Sequence, residues 1–236
     1  MFTFKIPSCG DEIETRKLKV REQNLLVDRK KVRDGSAVDE ALSSCILTPG
    51  YDPKELLVGD RVALLIHLRT ITHGPDFVFR VTCDCGETFF WKEDLTELPV
   101  KYLDPPLPYG EERVIEIVPP GLGRKVKVRL LKGKDEKRMR AIRTDSEGAL
   151  FSGLLRLITV EVEGEKVLSA RWFDDLDADD MDYILSEWRA RDCGVDTTVK
   201  VECPACGRTQ EMDLPIFTER GFFLPKSSQQ SFLPTA

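Results

Sequence analysis

A chain that repeats a segment is constrained to build similar local structure twice, and this one does so at a spacing of 120 residues. Offset by that amount, Asp60 falls on Asp180, Leu65 on Leu185, Arg69 on Arg189, Gly74 on Gly194, Asp76 on Asp196, Val81 on Val201 and Cys83 on Cys203. Each copy runs into a close cysteine pair followed by glycine, Cys83-Asp84-Cys85-Gly86 in the first and Cys203-Pro204-Ala205-Cys206-Gly207 in the second. Cysteine pairs at matched ends of matched segments imply two halves of one centre.

Periodicity gives both copies the same plan. After Asp60, expected as a helix cap, Val62, Leu65, Ile66 and Leu68 recur at helical spacing until Gly74-Pro75 stops the helix. Phe77, Phe79 and Val81 then alternate as one face of a strand, and Phe89-Phe90-Trp91 returns beyond the cysteines. The second copy predicts a helix over 178–191, a stop at Gly194, a strand over 197–201 and a return through Met212 to Leu214.

Outside the repeat, the start reads as an edge-like strand with a turn from Pro7 to Gly10. A helix follows over 36–47, with Ser36 as its cap and Cys45 as a buried thiol on its apolar side. In Asp104-Pro105-Pro106-Leu107-Pro108, three prolines in four residues remove backbone donors and predict an extended connector. A hairpin of 113–118 and 125–131 should turn at Pro119-Pro120-Gly121-Leu122-Gly123, and a helix over 152–158 takes the place of the 36–47 helix. The expected fold is α+β, with two pseudo-repeated helix-strand-knuckle-strand halves, 1–103 and 104–236. A zinc-ribbon-like four-cysteine site joins them, with a central β-hairpin and an extended tail in the second half.

The 236 residues, 41% hydrophobic, suffice for a sizeable core, as one large domain or two joined ones. No run of 18 apolar residues occurs, and Met1-Phe2-Thr3-Phe4-Lys5-Ile6-Pro7 lacks the basic head and apolar stretch of a signal peptide. A soluble chain that stays in the cytoplasm of the cell making it is therefore expected. Seven cysteines, an odd number with four in close pairs, fit a reduced metal-binding protein better than a disulfide framework.

Zinc takes four ligands in a tetrahedron, and thiolates from two tight turns satisfy it without an open position, which makes such a site structural. Cys83, Cys85, Cys203 and Cys206 are the expected ligands of one Zn2+, with Gly86 and Gly207 letting the backbone turn beneath it. The first pair has one intervening residue instead of the usual two to four, so His73 or Cys193, which stand at matching places before Gly74 and Gly194, are alternative ligands. Reduced thiols without metal are a further alternative. Dithiol exchange at Cys203-Pro204-Ala205-Cys206 is disfavoured, because a strand-like segment follows where a redox motif would open a helix.

Residues 124–143 hold ten basic and two acidic residues, and residues 161–187 hold two basic and ten acidic. The basic block contains no aromatic residue for base stacking, and the chain's net charge is −6, so opposed patches that direct protein association are favoured over a nucleic-acid surface. The alternative is that both are solvated faces. Asp175, Asp177, Asp179, Asp180 and Asp182 fail as a calcium loop, since Asp180 and Ser186 stand where glycine and glutamate are required. No phosphate loop, nucleophile elbow or base-nucleophile pair occurs, and His67 reads as a satisfied core residue.

Several of these segments, in this order, carry a resemblance. Ile6-Pro7-Ser8-Cys9-Gly10, Leu56-Leu57-Val58-Gly59-Asp60-Arg61, Leu64-Leu65, Leu68-Arg69, Thr72-His73-Gly74, Cys203-Pro204-Ala205-Cys206-Gly207 and Phe222-Phe223-Leu224-Pro225 resemble the baseplate hub and assembly proteins of contractile-tailed, T-even-like bacteriophages. The resemblance implies a non-enzymatic baseplate part, located in the virion tail and in the host cytoplasm during assembly. It implies structural metal ligation by Cys83, Cys85, Cys203 and Cys206. Its partners would be other phage baseplate and tail proteins, met through the charged patches and the apolar termini, with no membrane, nucleic acid or small-molecule substrate. A transient hub assembly chaperone is the alternative within the family, and a zinc-ribbon-like nucleic-acid binder the alternative outside it.

Overall fold

Two strands and a tight turn open the chain. β1 (Phe2–Lys5) pairs antiparallel with β2 (Glu12–Thr15), and the turn closes through the Gly10 N–H on the Ile6 carbonyl at 2.8 Å. Gly10 has φ +78°, a left-handed conformation that suits glycine. The computed structural model describes residues 1–28, 36–145, 150–166, 169–216 and 222–224. Helices α1 (Val20–Val27), α2 (Ser36–Cys45) and α3 (Val58–His73) follow.

The expected cap of α3 needs correcting. The helix begins at Val58 with Leu57 as its cap, and Asp60 lies one turn in, its carboxylate accepting the Leu57 N–H at 3.1 Å. A carboxylate at the third helical position can reach back to the cap's free N–H, so it starts the helix from inside. Likewise α2 starts at Ser36 itself and ends at Cys45, not at residue 47. Helix α3 buries Ala63, Leu64, Leu65, Ile66 and Leu68, wider than a single stripe, which places it at the centre of the first core.

Strands β3 (Asp76–Thr82) and β4 (Thr88–Asp94) form the first cysteine hairpin, with Phe79 opposite Trp91 and with Phe77, Phe79 and Val81 buried. The two-residue β5 (Val100–Lys101) leads into the proline connector, where the Leu103 and Leu107 N–H groups bond the Pro7 and Ser8 carbonyls at 3.1 and 2.8 Å. The central hairpin, β6 (Val114–Ile117) with β7 (Val126–Arg129), gains a third strand that the sequence pattern did not reveal, β8 (Thr159–Val162).

Helices α4 (Glu136–Asp145), α5 (Leu150–Ile158), α6 (Ala170–Asp174) and α7 (Ala178–Ala190) pack in the second half. The chain closes with β9 (Gly194–Val195), paired to β5, and the second cysteine hairpin, β10 (Thr198–Glu202) with β11 (Thr209–Asp213).

The apolar interior divides into two clusters, and neither is one stretch of sequence. The first unites α2, α3 and β3 with Val199, Val201, Leu214, Ile216, Phe222 and Phe223 from the end of the chain. The second gathers Ile115, Ile117, Val126, Val128, Leu155, Ile158, Ile184, Leu185 and Trp188. Phe222 meets Phe77 edge-on, with ring centroids 4.9 Å apart, and its carbonyl accepts the Arg69 guanidinium at 3.3 Å. Phe222 and Phe223 are thus buried in this chain's own core, contrary to the expectation of an apolar terminus offered to partners. Each buried ring contributes about 1.5–3 kcal/mol. The remainder of the expected tail, from residue 225, lies outside the described residues.

Three local devices occur twice along the chain. Arg16 clamps Glu22 at 3.0 and 3.2 Å, and Arg129 clamps Asp135 at 2.7 and 2.8 Å. Each of those carboxylates also accepts the N–H of the residue three before it, Lys19 at 2.8 Å and Lys132 at 3.0 Å. The turns Pro7-Ser8-Cys9-Gly10 and Pro120-Gly121-Leu122-Gly123 each donate a backbone N–H, from Ser8 and Gly121, to a buried aspartate at the third position of a long helix, Asp60 and Asp180, both at 2.8 Å. Gly121 has no side chain because a Cβ there would lie 2.8 Å from Asp180 Oδ2.

Candidate metal centre

Each knuckle is a hairpin tip that folds on its own backbone bonds. In the first, the Cys83 N–H donates to the Glu87 carbonyl at 2.8 Å and the Gly86 N–H to the Cys83 carbonyl at 2.9 Å. In the second, the Cys203 N–H donates to the Arg208 carbonyl and the Gly207 N–H to the Cys203 carbonyl, both at 2.9 Å. Gly86 and Gly207 have φ +93° and +69°, the left-handed geometry expected of them.

The tertiary fold brings these tips together. Cys83 Sγ lies 3.7 Å from Cys206 Sγ, Cys85 Sγ lies 3.8 Å from Cys203 Sγ, and all four sulfurs are within 4.8 Å of one another. A tetrahedral zinc with bonds of about 2.3 Å holds its sulfurs about 3.8 Å apart, so this donor set fits Zn2+ in chemistry and spacing. The two close contacts are both between hairpins, and they exchange when the hairpins are interchanged. Cys83 and Cys203 are buried while Cys85 and Cys206 face solvent, and Arg208 reaches Asp84 of the other knuckle at 3.2 Å.

Four thiols this close do not ionise independently. Burial raises the Cys203 thiol, but the backbone N–H groups of Cys206 and Ala205 and the neighbouring thiols outweigh it and hold Cys203 at about 7. At Cys83 the Cys85 N–H pulls down, whereas burial and bonding to the other three thiols push it up to about 12. A divalent cation removes that conflict, because each thiolate then faces a positive charge.

The alternative ligands lie elsewhere. Cys193 Sγ is buried against Asp60 Oδ1 at 3.7 Å, and the burial pushes its thiol far up. His73 sits by the Phe223 backbone, with Nε2 buried and lacking a hydrogen-bond partner among the described residues. His67, expected as a satisfied core residue, shares a hydrogen bond of 2.9 Å with Thr15 Oγ1.

The basic block reads differently in three dimensions. Lys125 pairs with Glu116, Lys127 with Glu161, Arg129 with Asp135, Lys132 and Lys134 with Glu55, and Arg140 with Glu136. Six of its cations are thus paired within the chain, and one of them, Lys127, ties the block to Glu161, the first residue of the acidic block. On the acidic side, Asp174, Asp177, Asp179 and Asp182 remain exposed along α6 and α7. Sequence reasoning also missed Arg61, fully enclosed and bonded to Glu136, Pro53 and Asp39 at 2.6, 2.7 and 2.7 Å. Its only signal was a charged residue inside an apolar helical stretch.

These features define a mixed helix-and-strand protein in which two hairpin tips converge on one set of thiols. Residues 1–118 match the family model described as T4 bacteriophage base plate protein, and the chain belongs to that family. No curated protein and no solved structure matches it. Among the described residues, no helix is long and apolar enough to cross a membrane.

Proposed function

We propose that the chain is a structural component of the hub region of a contractile phage tail baseplate, clamped by one Zn2+ on Cys83, Cys85, Cys203 and Cys206. It acts by binding neighbouring baseplate and tail proteins, without catalysis and without a small-molecule, nucleic-acid or membrane partner. Family membership supports the baseplate role. The inter-hairpin sulfur spacing of 3.7 and 3.8 Å carries the metal reading. Zinc would supply cohesion, since four thiolate ligands leave no open position for substrate.

Internal duplication, with halves at 1–103 and 104–236, is part of this reading. It is supported by the paired devices, Arg16–Glu22 with Arg129–Asp135 and Ser8–Asp60 with Gly121–Asp180, each set lying wholly within one half. The exposed carboxylates of α6 and α7 favour a neighbour with a basic surface.

Metal analysis of the purified chain tests the clamp: one zinc per chain is expected, and a metal-free chain whose stability is untouched by Cys206→Ser and Cys83→Ser refutes it. Mass spectrometry of purified virions tests the location. Presence in assembly intermediates with absence from finished particles would replace the permanent component with an assembly chaperone.

A further inference from the structure

One seam inside the chain has a counterpart left open on the surface. Residues 54–58 lie along residues 131–134. The Val58 N–H donates to the Leu131 carbonyl at 2.9 Å, the Gly133 N–H to the Leu56 carbonyl at 2.9 Å and the Lys134 N–H to the Lys54 carbonyl at 3.0 Å. Lys132 and Lys134 reach the Glu55 carboxylate at 2.9 and 3.1 Å. Packing along this seam buries Leu56, Leu57 and Lys132.

Each side of the seam occurs a second time. At an offset of 113, Arg16, Leu18, Lys19, Arg21 and Glu22 fall on Arg129, Leu131, Lys132, Lys134 and Asp135. The same Arg-clamped carboxylate, bonded to the N–H three residues before it, shapes both stretches. At the offset of 120, Glu55, Leu56 and Leu57 fall on Asp175, Leu176 and Asp177. Leu57 and Asp177 each cap a long helix, and their carbonyls accept the Arg61 and Met181 N–H groups at 3.1 and 3.0 Å.

The second pair of edges is exposed where the first is buried. Lys19, Val20 and Arg21 face solvent, Val20 at 73%, and so do Asp174, Asp175, Asp177 and Ala178. Arg21 pairs only with the adjacent Glu22, and Asp175 only with Arg171 one turn before it. The Ala178 N–H, at the first position of α7, has no intrahelical acceptor. One edge is basic and the other acidic, as Lys132 and Lys134 are to Glu55, so the two are complementary in charge as well as in backbone form.

We propose that a second copy of this chain docks here, its residues 18–21 lying along residues 174–178 of the first, so that the seam within each chain is repeated between chains. The inference rests on the internal duplication proposed above. Asp175 takes the place of Glu55, and Lys19 and Arg21 of the second copy take that of Lys132 and Lys134. The Ala178 N–H donates to the Leu18 carbonyl as Val58 does to Leu131.

The copy is not exact at one point. A Cβ on Gly133 would lie 2.5 Å from Arg61 Nη1 and 2.7 Å from the Pro53 carbonyl oxygen, and Val20 carries a side chain at the matching place. The seam between chains is therefore wider there, with Val20 resting on Leu176, and the association is weaker than the contact within a chain. Because the two edges differ, the contact is head-to-tail, and every chain added presents one more edge of each kind, which builds a ring or a filament.

Sedimentation velocity of the full chain over a range of concentrations tests this. Reversible association that weakens with added salt is expected. Lys19→Glu and Asp175→Lys should each weaken it at least about fivefold, since either reversal turns an attraction into a repulsion. The double variant K19E/D175K should associate more tightly than either single variant, because the reversed charges face each other again. Circular dichroism matching the parent assigns these changes to the surface. A parent chain that stays monomeric, association indifferent to both reversals, or a double variant no tighter than the singles would each overturn the proposal. Glu55→Lys tests the seam within one chain separately, through the thermal midpoint. A lowered midpoint beside a monomeric parent would keep the duplicated seam and reject only its extension between chains. An unchanged midpoint would reject the seam itself and the docking with it.

Discussion

Asp60 is the residue whose replacement most directly tests how the first turn is held on α3. Its carboxylate is fully enclosed, with Oδ1 accepting the Ser8 N–H at 2.8 Å and Oδ2 accepting the Ser8 hydroxyl at 2.6 Å and the Leu57 N–H at 3.1 Å. Asp60→Asn keeps the shape but offers one acceptor oxygen in place of two. Whichever way the amide turns, its NH2 faces a backbone N–H, either that of Ser8 or that of Leu57. A stranded buried donor costs about 1–3 kcal/mol. Burial already pushes the Asp60 carboxyl up against the pull of these donors, so removing the charge returns part of that cost.

The net loss expected for Asp60→Asn is about 1–2 kcal/mol, whereas Asp60→Ala, which strands both backbone donors, should lose about 3–5 kcal/mol. Urea unfolding followed by circular dichroism measures both, with the slope checked for constancy. Asp180→Asn should cost less than Asp60→Asn, since a single described turn donor, Gly121 N–H, reaches it. If Asp60→Asn unfolds at the wild-type midpoint, the clasp between the first turn and α3 contributes nothing and the reasoning fails.

Glu22 gives a pH dependence of definite sign. Burial would raise its carboxyl, but hydrogen bonds from Arg16, Arg21 and the Lys19 N–H outweigh this and hold it at about 2, below the ordinary 4.5. Its contribution, about 2 kcal/mol once the exposure of Arg21 is discounted, is present above pH 5 and lost as pH falls from about 5 to about 2. Glu22→Gln should flatten that part of the acid titration; an unchanged profile would exclude Glu22 as its source. Gly59→Ala places a Cβ 1.8 Å from the Cys193 carbonyl oxygen, an overlap between two backbones that should cost about 2 kcal/mol or more despite alanine's better helix propensity. Wild-type thermal stability in that variant would mean α3 does not approach Cys193 so closely. The proposed zinc should dissociate more readily as pH falls, because protons compete for the thiolates, and Cys206→Ser should weaken its retention; a metal content independent of pH would exclude thiolate ligation.

Legibility in the sequence followed the range of the interactions. The two cysteine hairpins, α3, α7 and the central hairpin were readable because alternation and helical spacing are written within a dozen residues, as in Phe77, Phe79 and Val81. Strand β8 was not, since Thr159–Val162 follows α5 directly and takes its strand character from pairing with β7. Helix α4 was hidden in the basic block, where Met139 and Ile142 are the large apolar residues that mark a helical face, too few to set a period. The alignment at 120 residues found the matched aspartates, but the roles of Ser8 and Gly121 could not be seen, because a turn's partner depends on where the helix lies.

By itself the sequence determined that two similar half-sites exist, that each ends in a glycine-closed knuckle, and that long apolar helices precede them. Those properties follow from residue type and spacing, which act through backbone geometry over a few positions. Only the tertiary structure decided that Cys83 meets Cys206 across 123 positions, that the basic block is largely paired at home, and that Phe222 and Phe223 complete the first core. Contacts between distant segments are fixed by how whole elements pack. A thiol, a lysine or a phenylalanine carries no local record of the partner that packing will bring to it.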